Sequence, residues 1–332
     1  DCLLSRGLGD VYKRQFLNRR LTVDADYYHD KTIDLVNDVS LSQTSGFSSY
    51  KDNMGEVLNQ GFELQVRGEV FRNRDWLVAL WGNMAHNKNK IVKISDSQRA
   101  YNLRVEQFYQ NSANEEYGRY NAQYAVPISQ YEEGQSLTSI WAVRSLGIDP
   151  TTGKEIFLNR DGTVSDTWSA AQEVVVGNTE PKFNGSVGLN LSYKEWSLFA
   201  SFQYEWGGQE YNQTLVDRVE NADIAGQNVD LRVLTDRWQK PGDIAQFKNI
   251  KDGEWTTLPT SRFVQDKSYF RLSALTLSYD FKREWIKKYL GMNMLRLEAS
   301  TRDLINWNSI RQERGLSYPK SWTVDFSIKA QF

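Results

Sequence analysis

Two histidines, His29 and His86, and one cysteine, Cys2, are all that the 332-residue chain offers from the usual soft ligands and nucleophiles. Neither histidine sits in a HExxH or related spacing, so no zinc set forms. A single cysteine excludes an intrachain disulfide. The P-loop, the dinucleotide fingerprint and the nucleophile elbow are all missing. Carboxylates are plentiful, as in Asp24 with Asp26 and Glu115 with Glu116. A glycosidase, however, needs two carboxyls held roughly 5–9 Å apart across a sugar, and adjacency in sequence does not supply that. Alternate carboxylates on one strand read more simply as the lining of a wet surface. Asn159-Arg160-Asp161-Gly162 imitates part of a calcium loop, but a loop opened at Phe157 places Trp168 where the bidentate carboxylate belongs. The chain is therefore read as no enzyme, with no cofactor and no metal.

If the residues do no chemistry, what they line or cover matters more. The net charge of −2 removes the basic footprint of a nucleic-acid binder. Mean hydropathy is −0.61, and no stretch nears the roughly 18 apolar residues of a spanning helix. Neither observation counts against a β-barrel, in which every second strand residue and the loops are polar. The aromatic share is 13%, which suits rings gathered at a membrane interface. A tryptophan-rich sugar-binding sandwich would explain it equally well.

Period-two alternation decides between them. Over Ser321–Phe332, Trp322, Val324, Phe326, Ile328, Ala330 and Phe332 share one face, while Asp325, Ser327 and Lys329 share the other. That is a half-buried strand of the roughly 9–11 residues that cross a bilayer when tilted. The same pattern marks Arg20–Tyr28, Gly61–Val70, Phe183–Tyr193, Trp196–Trp206 (with Phe199 out of phase), Arg271–Phe281 and Met294–Thr301. Asp75–Asn87 is an eighth strand whose greasy side is ambiguous, because Leu77, Ala79 and Trp81 interleave with Trp76, Val78 and Leu80. Asn73-Arg74, Lys194-Glu195 and 282–291 are short or modest connections, whereas 31–52, 88–181, 207–262 and 303–320 are long. Counting back from Phe332 puts all short turns on one side and all long loops on the other, as in outer-membrane barrels. Within 88–181, Asp149–Gly153 and Asn159–Gly162 predict turns around a short strand, Glu155–Leu158.

Asn53–Glu63 (NMGEVLNQGFE) resembles the N-x-G-x-V-x-N-x-G-x-E segment of SusC/RagA-type TonB-dependent transporters of the Bacteroidetes. Further matches follow in family order: Arg20–Leu35, Asn83–Ile91, Glu133–Leu137, Gly147–Gly153, Gly177–Phe183, Asp266–Leu272 and Tyr318–Lys320. Thr301–Leu304 departs from the family's G-Q-N-L-like segment. The resemblance covers essentially all of 16–332. It implies an all-β fold, an antiparallel transmembrane β-barrel of which this is a C-terminal fragment, about eight strands of a 22-stranded barrel with long extracellular loops, whose plug and N-terminal domains are missing. It further implies an outer-membrane importer of oligosaccharides or peptides in a Gram-negative bacterium, working with a SusD-like lipoprotein, with TonB through the missing N-terminal part, with outer-membrane lipid and with the barrel assembly machinery. The alternative is a secreted soluble β-sandwich that binds glycans. An ungated porin or adhesin barrel is set aside only by the resemblance. Residues 1–15 (DCLLSRGLGDVYKRQ) resemble translated sequencing-adapter read-through and are expected to be a non-native tail.

Three groups of residues are candidates for a role. Lumen-facing Glu63, Gln65, Arg67, Gln203, Arg296 and Glu298 are expected to hydrogen-bond a plug and water before any solute, and Asn190, Ser201 and Asp325 share their pattern. Tyr109, Tyr117, Tyr120, Tyr124, Trp141 and Trp168, with Tyr131, are loop aromatics able to stack on sugars, to pack the loops or to meet the lid. Trp322, Val324, Phe326, Ile328 and the terminal Phe332 are expected, by resemblance to outer-membrane proteins, to be an assembly signal.

Overall fold

A computed structural model describes residues 5–16, 20–40, 49–53, 55–110, 131–226, 229–250, 257–281, 284–311 and 322–332. Its framework is one antiparallel sheet. The strands are β1 (Ser5–Phe16), β2 (Leu21–Thr32), β5 (Gly55–Arg72), β6 (Trp76–Ile94), β11 (Phe183–Tyr193), β12 (Trp196–Tyr211), β13 (Val264–Phe281), β14 (Met294–Thr301) and β16 (Val324–Gln331), side by side in that order, with β15 (Asn306–Asn308) paired to β13. Sequential strands are therefore spatial neighbours, and β1 and β16 form the two edges. No helix among the described residues is long and apolar enough to cross a membrane.

The eight expected strands are present, and several run on past their alternation. The strand expected at Asp75–Asn87 continues to Ile94, and that expected at Arg271–Phe281 begins at Val264. The reason is physical: hydrocarbon imposes period two only across its own thickness, while the hydrogen-bonded ladder propagates beyond it. Conversely, the terminal strand begins at Val324 rather than Ser321. Residues Ser5–Phe16 also pair in register with β2. Any extended segment satisfies an open sheet edge, so this pairing does not bear on the origin of residues 1–15.

All short connections fall at one end of the sheet. At 73–75 the Asn73 Oδ1 accepts from the amides of Asp75 (2.9 Å) and Trp76 (2.8 Å). In the next turn Lys194 takes φ +52°, and its amide donates to Asp75 O at 2.8 Å. The third connection carries a helix, Glu284–Leu290. At the other end stand the inserts: β3 (Val36–Ser40) with β4 (Ser49–Asn53) as a hairpin; helix α1 (Asp96–Gln110) with the sheet of β7 (Ser139–Ile148), β8 (Glu155–Leu158), β9 (Val164–Ser165) and β10 (Glu173–Asn178); the long 212–263 segment; and β15. The loop sorting expected from sequence is therefore observed. Helix α1 was not expected. Its signal was legible in Ser95-Asp96-Ser97-Gln98, a capping-box spacing in which Ser95 Oγ accepts from the Gln98 amide at 3.2 Å.

Cross-strand register settles which side of each strand is greasy. Directly paired residues share a face, and Trp76, Tyr193, Trp196, Tyr279, Leu297 and Ile328 form one continuous row. The next row is Val78, Leu191, Leu198, Leu277, Ala299 and Phe326. Hence Trp76, Val78 and Leu80 are the apolar side of β6, and Leu77, Ala79 and Trp81 point the other way. The first row is ringed: Trp76 contacts Tyr193 at 4.3 Å and Trp196 contacts Tyr279 at 4.8 Å between centroids. A second ring, at the loop end, contains Phe62, His86 and Phe183, the pair Phe202–Phe270 at 5.0 Å and Trp206–Trp307 at 6.4 Å. His86 thus belongs to an aromatic rim.

Trp76 and His86 are ten positions apart, as are Tyr193 and Phe183, and Trp196 and Trp206. At about 3.3 Å per residue that is about 33 Å along the strand. A tilt of about 40° leaves about 25 Å along the membrane normal, the height of a barrel's apolar band between its girdles. The side chains between the rings on this face carry no charge, and Leu80, Val187 and Leu277 are exposed. Among the described residues no second layer packs over them. Replacing Leu80 or Leu277 by Arg is expected to destabilise the lipid-embedded full-length barrel by about 2–4 kcal/mol, whereas Gln203→Arg on the opposite face costs little. Denaturant titration in lipid measures this, and equal costs on both faces would contradict the assigned orientation.

Candidate functional site

The face opposite the apolar rows is polar and internally bonded. Arg296 Nη2 donates to Asp280 Oδ2 at 2.8 Å, Lys329 Nζ to Glu298 Oε2 at 3.1 Å, and Arg271 Nη2 to Gln203 Oε1 at 2.7 Å. Glu63, Gln65 and Arg67 pair with Asp26, Asp24 and Thr22 on the same side. Asn190, Ser201 and Asp325 also lie on this face by register. Asp24 and Asp26 thus line it, while Glu115 and Glu116 lie outside the described residues. A feature not foreseen interrupts it. The Trp81 ring lies across Gly188, where a Cβ would come within 2.4 Å of the indole. It stacks near-parallel with Phe199 at 6.3 Å and 12°. The out-of-phase Phe199 and the doubled apolar run of β6 were the sequence traces of this inward aromatic platform. Only the register showed that they meet.

Above the sheet, two inserts fold together into one layer. Leu215, Val216, Val219, Val233, Phe247 and Phe263 form a buried apolar cluster with Tyr211 packed against it. Charge is buried beside it: Arg262 Nη2 donates to Glu155 Oε2 at 2.8 Å and to Glu220 Oε1 at 2.6 Å. Burial opposes the charge on Arg262, but its hydrogen bonds to both carboxylates outweigh that and hold its pKa above the ordinary arginine value. Arg237, also buried, caps four backbone carbonyls, of Val219, Glu220, Val233 and Lys248. The Arg262–Glu155 pair crosses between inserts, because Glu155 belongs to 95–182 and Arg262 to 212–263, whereas the Arg237 bonds stay within 212–263.

Further bridges fasten the same two inserts. The Val143 amide donates to Pro259 O at 3.2 Å, and the Ser145 amide to Ser261 Oγ at 2.9 Å. The expected turn Asp149–Gly153 forms, with Asp149 Oδ1 accepting from the Thr151 amide. Gly153 has φ +74°, and a Cβ there would meet the Trp238 ring at 2.5 Å. Trp238 Nε1 meanwhile donates to Pro150 O at 2.8 Å. The glycine ending this motif is therefore required by both backbone and packing. The expected Asn159–Gly162 turn and Glu155–Leu158 strand are likewise present.

The loop aromatics are only partly brought together. Trp168 Nε1 donates to Pro259 O at 2.9 Å, and its ring lines a cavity of about 510 Å³ with Lys154, Phe157, Asp166 and Leu258. Trp141, in β7, pairs with Val175 of β10 and does not line that cavity. The backbone carbonyl of Tyr131 accepts from Asn102 at 2.9 Å. Tyr109 contributes backbone to α1, but its side chain, like the whole of Tyr117, Tyr120 and Tyr124, lies outside the described residues. Trp322, Val324, Phe326, Ile328 and Phe332 are exposed at the β16 edge of the sheet.

A single wall with an apolar band, a bonded polar face and a fused loop layer at one end is the geometry to compare with known proteins. No family model matches the sequence. TonB-dependent receptor P3 of Formosa agariphila is 28% identical over 300 residues, 87% of this chain and 28% of that protein. TonB-dependent receptor SusC of Bacteroides thetaiotaomicron is 21% identical over 276 residues, 81% of the chain and 25% of SusC. Two solved structures share the fold: the RagAB peptide transporter, with TM-score 0.71, 21% identity and coverage of 92% of this chain and 32% of that one, and the RagAB peptide importer in an open-open state, with TM-score 0.73, 20% identity and coverage of 99% and 34%. The chain is similar to TonB-dependent receptors of the SusC/RagA type. It spans 28% of the length of receptor P3. Its sheet is a stretch of outer-membrane β-barrel wall, and the relatives carry the names of receptors and transporters, not of enzymes.

Two outcomes are expected from the loop layer. Arg262→Met strands two buried carboxylates and should cost about 3–5 kcal/mol of local stability. Hydrogen exchange on the full-length barrel should then speed up in both inserts and stay unchanged in β11–β14. Burial also pushes the Glu173 carboxyl up to about 7, with Arg160 pulling the other way. An acid with a raised folded pKa binds its proton more tightly when folded, so the layer is favoured while that proton is held and loses stability as pH rises from about 4.5 through about 7. Exchange in 139–178, corrected for intrinsic rates, should increase across that window, and Glu173→Gln should flatten the dependence.

Proposed function

We propose that this chain is the C-terminal portion of the barrel of a TonB-dependent outer-membrane transporter, about a third of a 22-stranded wall from residue 16 onward. The transporter imports oligosaccharides or peptides beneath a SusD-like surface lipoprotein. TonB acts through segments outside this sequence, the barrel assembly machinery inserts the wall, and residues 1–15 are a non-native tail. The reading rests above all on one observation: an apolar band about 25 Å tall by the girdle spacing, with every long insert beyond the same end of it. A soluble glycan-binding sandwich would need a second sheet over Leu189, Leu198 and Leu277, and the described residues supply none.

In this reading the polar face lines the lumen. Glu63, Gln65, Arg67, Gln203, Arg296 and Glu298, the last three bonded to Arg271, Asp280 and Lys329, meet the plug and water. Solute is captured higher up, where Trp168 walls the loop cavity and Trp141, Tyr109, Tyr117, Tyr120 and Tyr124 supply further rings. Trp322, Val324, Phe326, Ile328 and Phe332 form the assembly signal read at the membrane.

The test uses the full-length gene in cells lacking it. Uptake of labelled oligosaccharide or peptide should depend on that gene and disappear on TonB depletion, and uptake that persists without TonB would instead indicate an ungated pore. Trp168→Ala should weaken solute binding by about two- to tenfold, the value of one ring contact. Removing Phe332 should lower the amount of assembled barrel in the membrane, and an unchanged yield would remove its signalling role.

A further inference from the structure

Just above the loop-end aromatic ring, on the outward side of the wall, lies a groove of about 640 Å³. Its orientation follows from register: His86 pairs with outward Phe62, Trp206 with outward Phe183, and Trp307 with outward Phe270. The floor is the stacked pair Trp206–Trp307, 60% and 53% exposed. Lys88 and Lys182 stand at one side, both exposed, and the Lys182 stem runs over Gly207, where a Cβ would come within 2.9 Å of it. Neither lysine has an ion-pair partner among the described residues, whereas outward Lys31 is already bound to Glu56 at 2.7 Å. Two carboxylates also border the groove. Those of Glu180 are taken up by the Asn87 amide and the Asn89 backbone N–H (3.0 Å), and Asp266 accepts from Gln209 at 3.3 Å on the far wall. These neutral donors leave both carboxylates charged, and Ser309 Oγ is spent donating to Asp266 O (2.7 Å) and accepting from the Ser268 amide (2.8 Å), so the groove offers a ligand two lysines on one side and two indole faces.

We infer that this groove holds the phosphorylated saccharide headgroup of an outer-leaflet glycolipid. Ammonium groups near a membrane surface attract anionic headgroups, and lysine serves phosphate as a point charge. Indole faces give sugar rings an apolar platform beside a polar rim, as tryptophan does at membrane interfaces. The height matters too: the groove begins where the apolar band stops, so a headgroup seated in it leaves its acyl chains running down over Phe202, Val187 and Leu189. A soluble solute would have no reason to approach from this side, which faces lipid rather than lumen.

The test takes the full-length receptor, delipidated in non-ionic detergent, and offers it diphosphoryl lipid A, phosphatidylglycerol or phosphatidylcholine, with retention read by native mass spectrometry. Lipid A should be retained by the wild type well above both phospholipids. Lys88→Glu with Lys182→Glu should cut that retention about tenfold or more, and Trp206→Ala with Trp307→Ala should reduce it while leaving phosphatidylglycerol unaffected. Heat-modifiable migration confirms that each variant has assembled. Equal retention of phosphatidylglycerol and lipid A would overturn the glycolipid assignment, and that wild-type comparison holds even if a variant fails to assemble. Unchanged lipid A retention in the assembled double lysine variant would overturn the site.

Discussion

Within hydrocarbon no water is present to satisfy a backbone N–H or C=O, and this one constraint organises the whole chain. Every crossing segment must spend its backbone on neighbours, so β2, β5, β6, β11, β12, β13 and β14 are each hydrogen-bonded on both sides along an unbroken antiparallel path. Once the backbone is committed in this way, each strand has only two directions for its side chains, and lipid claims one of them. The six-residue rows from β6 across to β16 are the result. They are not a core in the soluble sense, because among the described residues nothing from the protein covers them. Irregular chain is driven to the ends of the strands, which is why helix α1, the four-stranded sheet and the buried apolar cluster all lie beyond the band.

The layer beyond the band obeys different physics. Water is available there, so its order is secured by buried charge and close packing rather than by an obligatory ladder. Arg262 bridging to Glu155 and Trp238 closing over Gly153 tie one insert to the other, while Arg237 on four carbonyls orders 212–263 from within. A buried ion triad of this kind adds little net stability but penalises misalignment heavily, since any shift leaves a charge unpaired. Such an arrangement fixes how two long inserts meet.

Most of the wall was legible in the sequence because lipid writes a simple code. Alternation located eight strands, and loop lengths gave their direction. Their ends were not legible, since outside the band nothing enforces alternation: β6 reaches Ile94 and β13 starts at Val264 by hydrogen bonding alone. The facing of β6 was also hidden, because both of its sides are apolar where Trp81 turns inward to Phe199, and only pairing to Leu189 and Leu191 resolves it. In the loop layer, turn chemistry revealed Asp149–Gly153 and Asn159–Gly162. The partners Arg262, Glu220 and Trp238 carried no local signal, since their meaning depends on contacts more than forty residues away. Trp168 was one of the loop aromatics read as able to stack on sugars, pack the loops or meet the lid, and its indole nitrogen is committed to Pro259 in the other insert, which leaves its face available.

The extended strands join these two regimes. β5, β6, β12 and β13 each run 16 to 19 residues, well beyond the roughly 9–11 that cross a bilayer. The surplus projects the ladder above the membrane, where Asn89 of β6 accepts from the Leu137 amide at 2.9 Å and Phe263, at the foot of β13, enters the apolar cluster. The loop layer is thus bolted to stiff ribbon rather than hung from flexible linkers. A load on it is passed to strands whose slippage by one residue would turn every lipid-facing side chain inward. The wall thereby holds the loop layer and the aromatic rim at a fixed height above the apolar band.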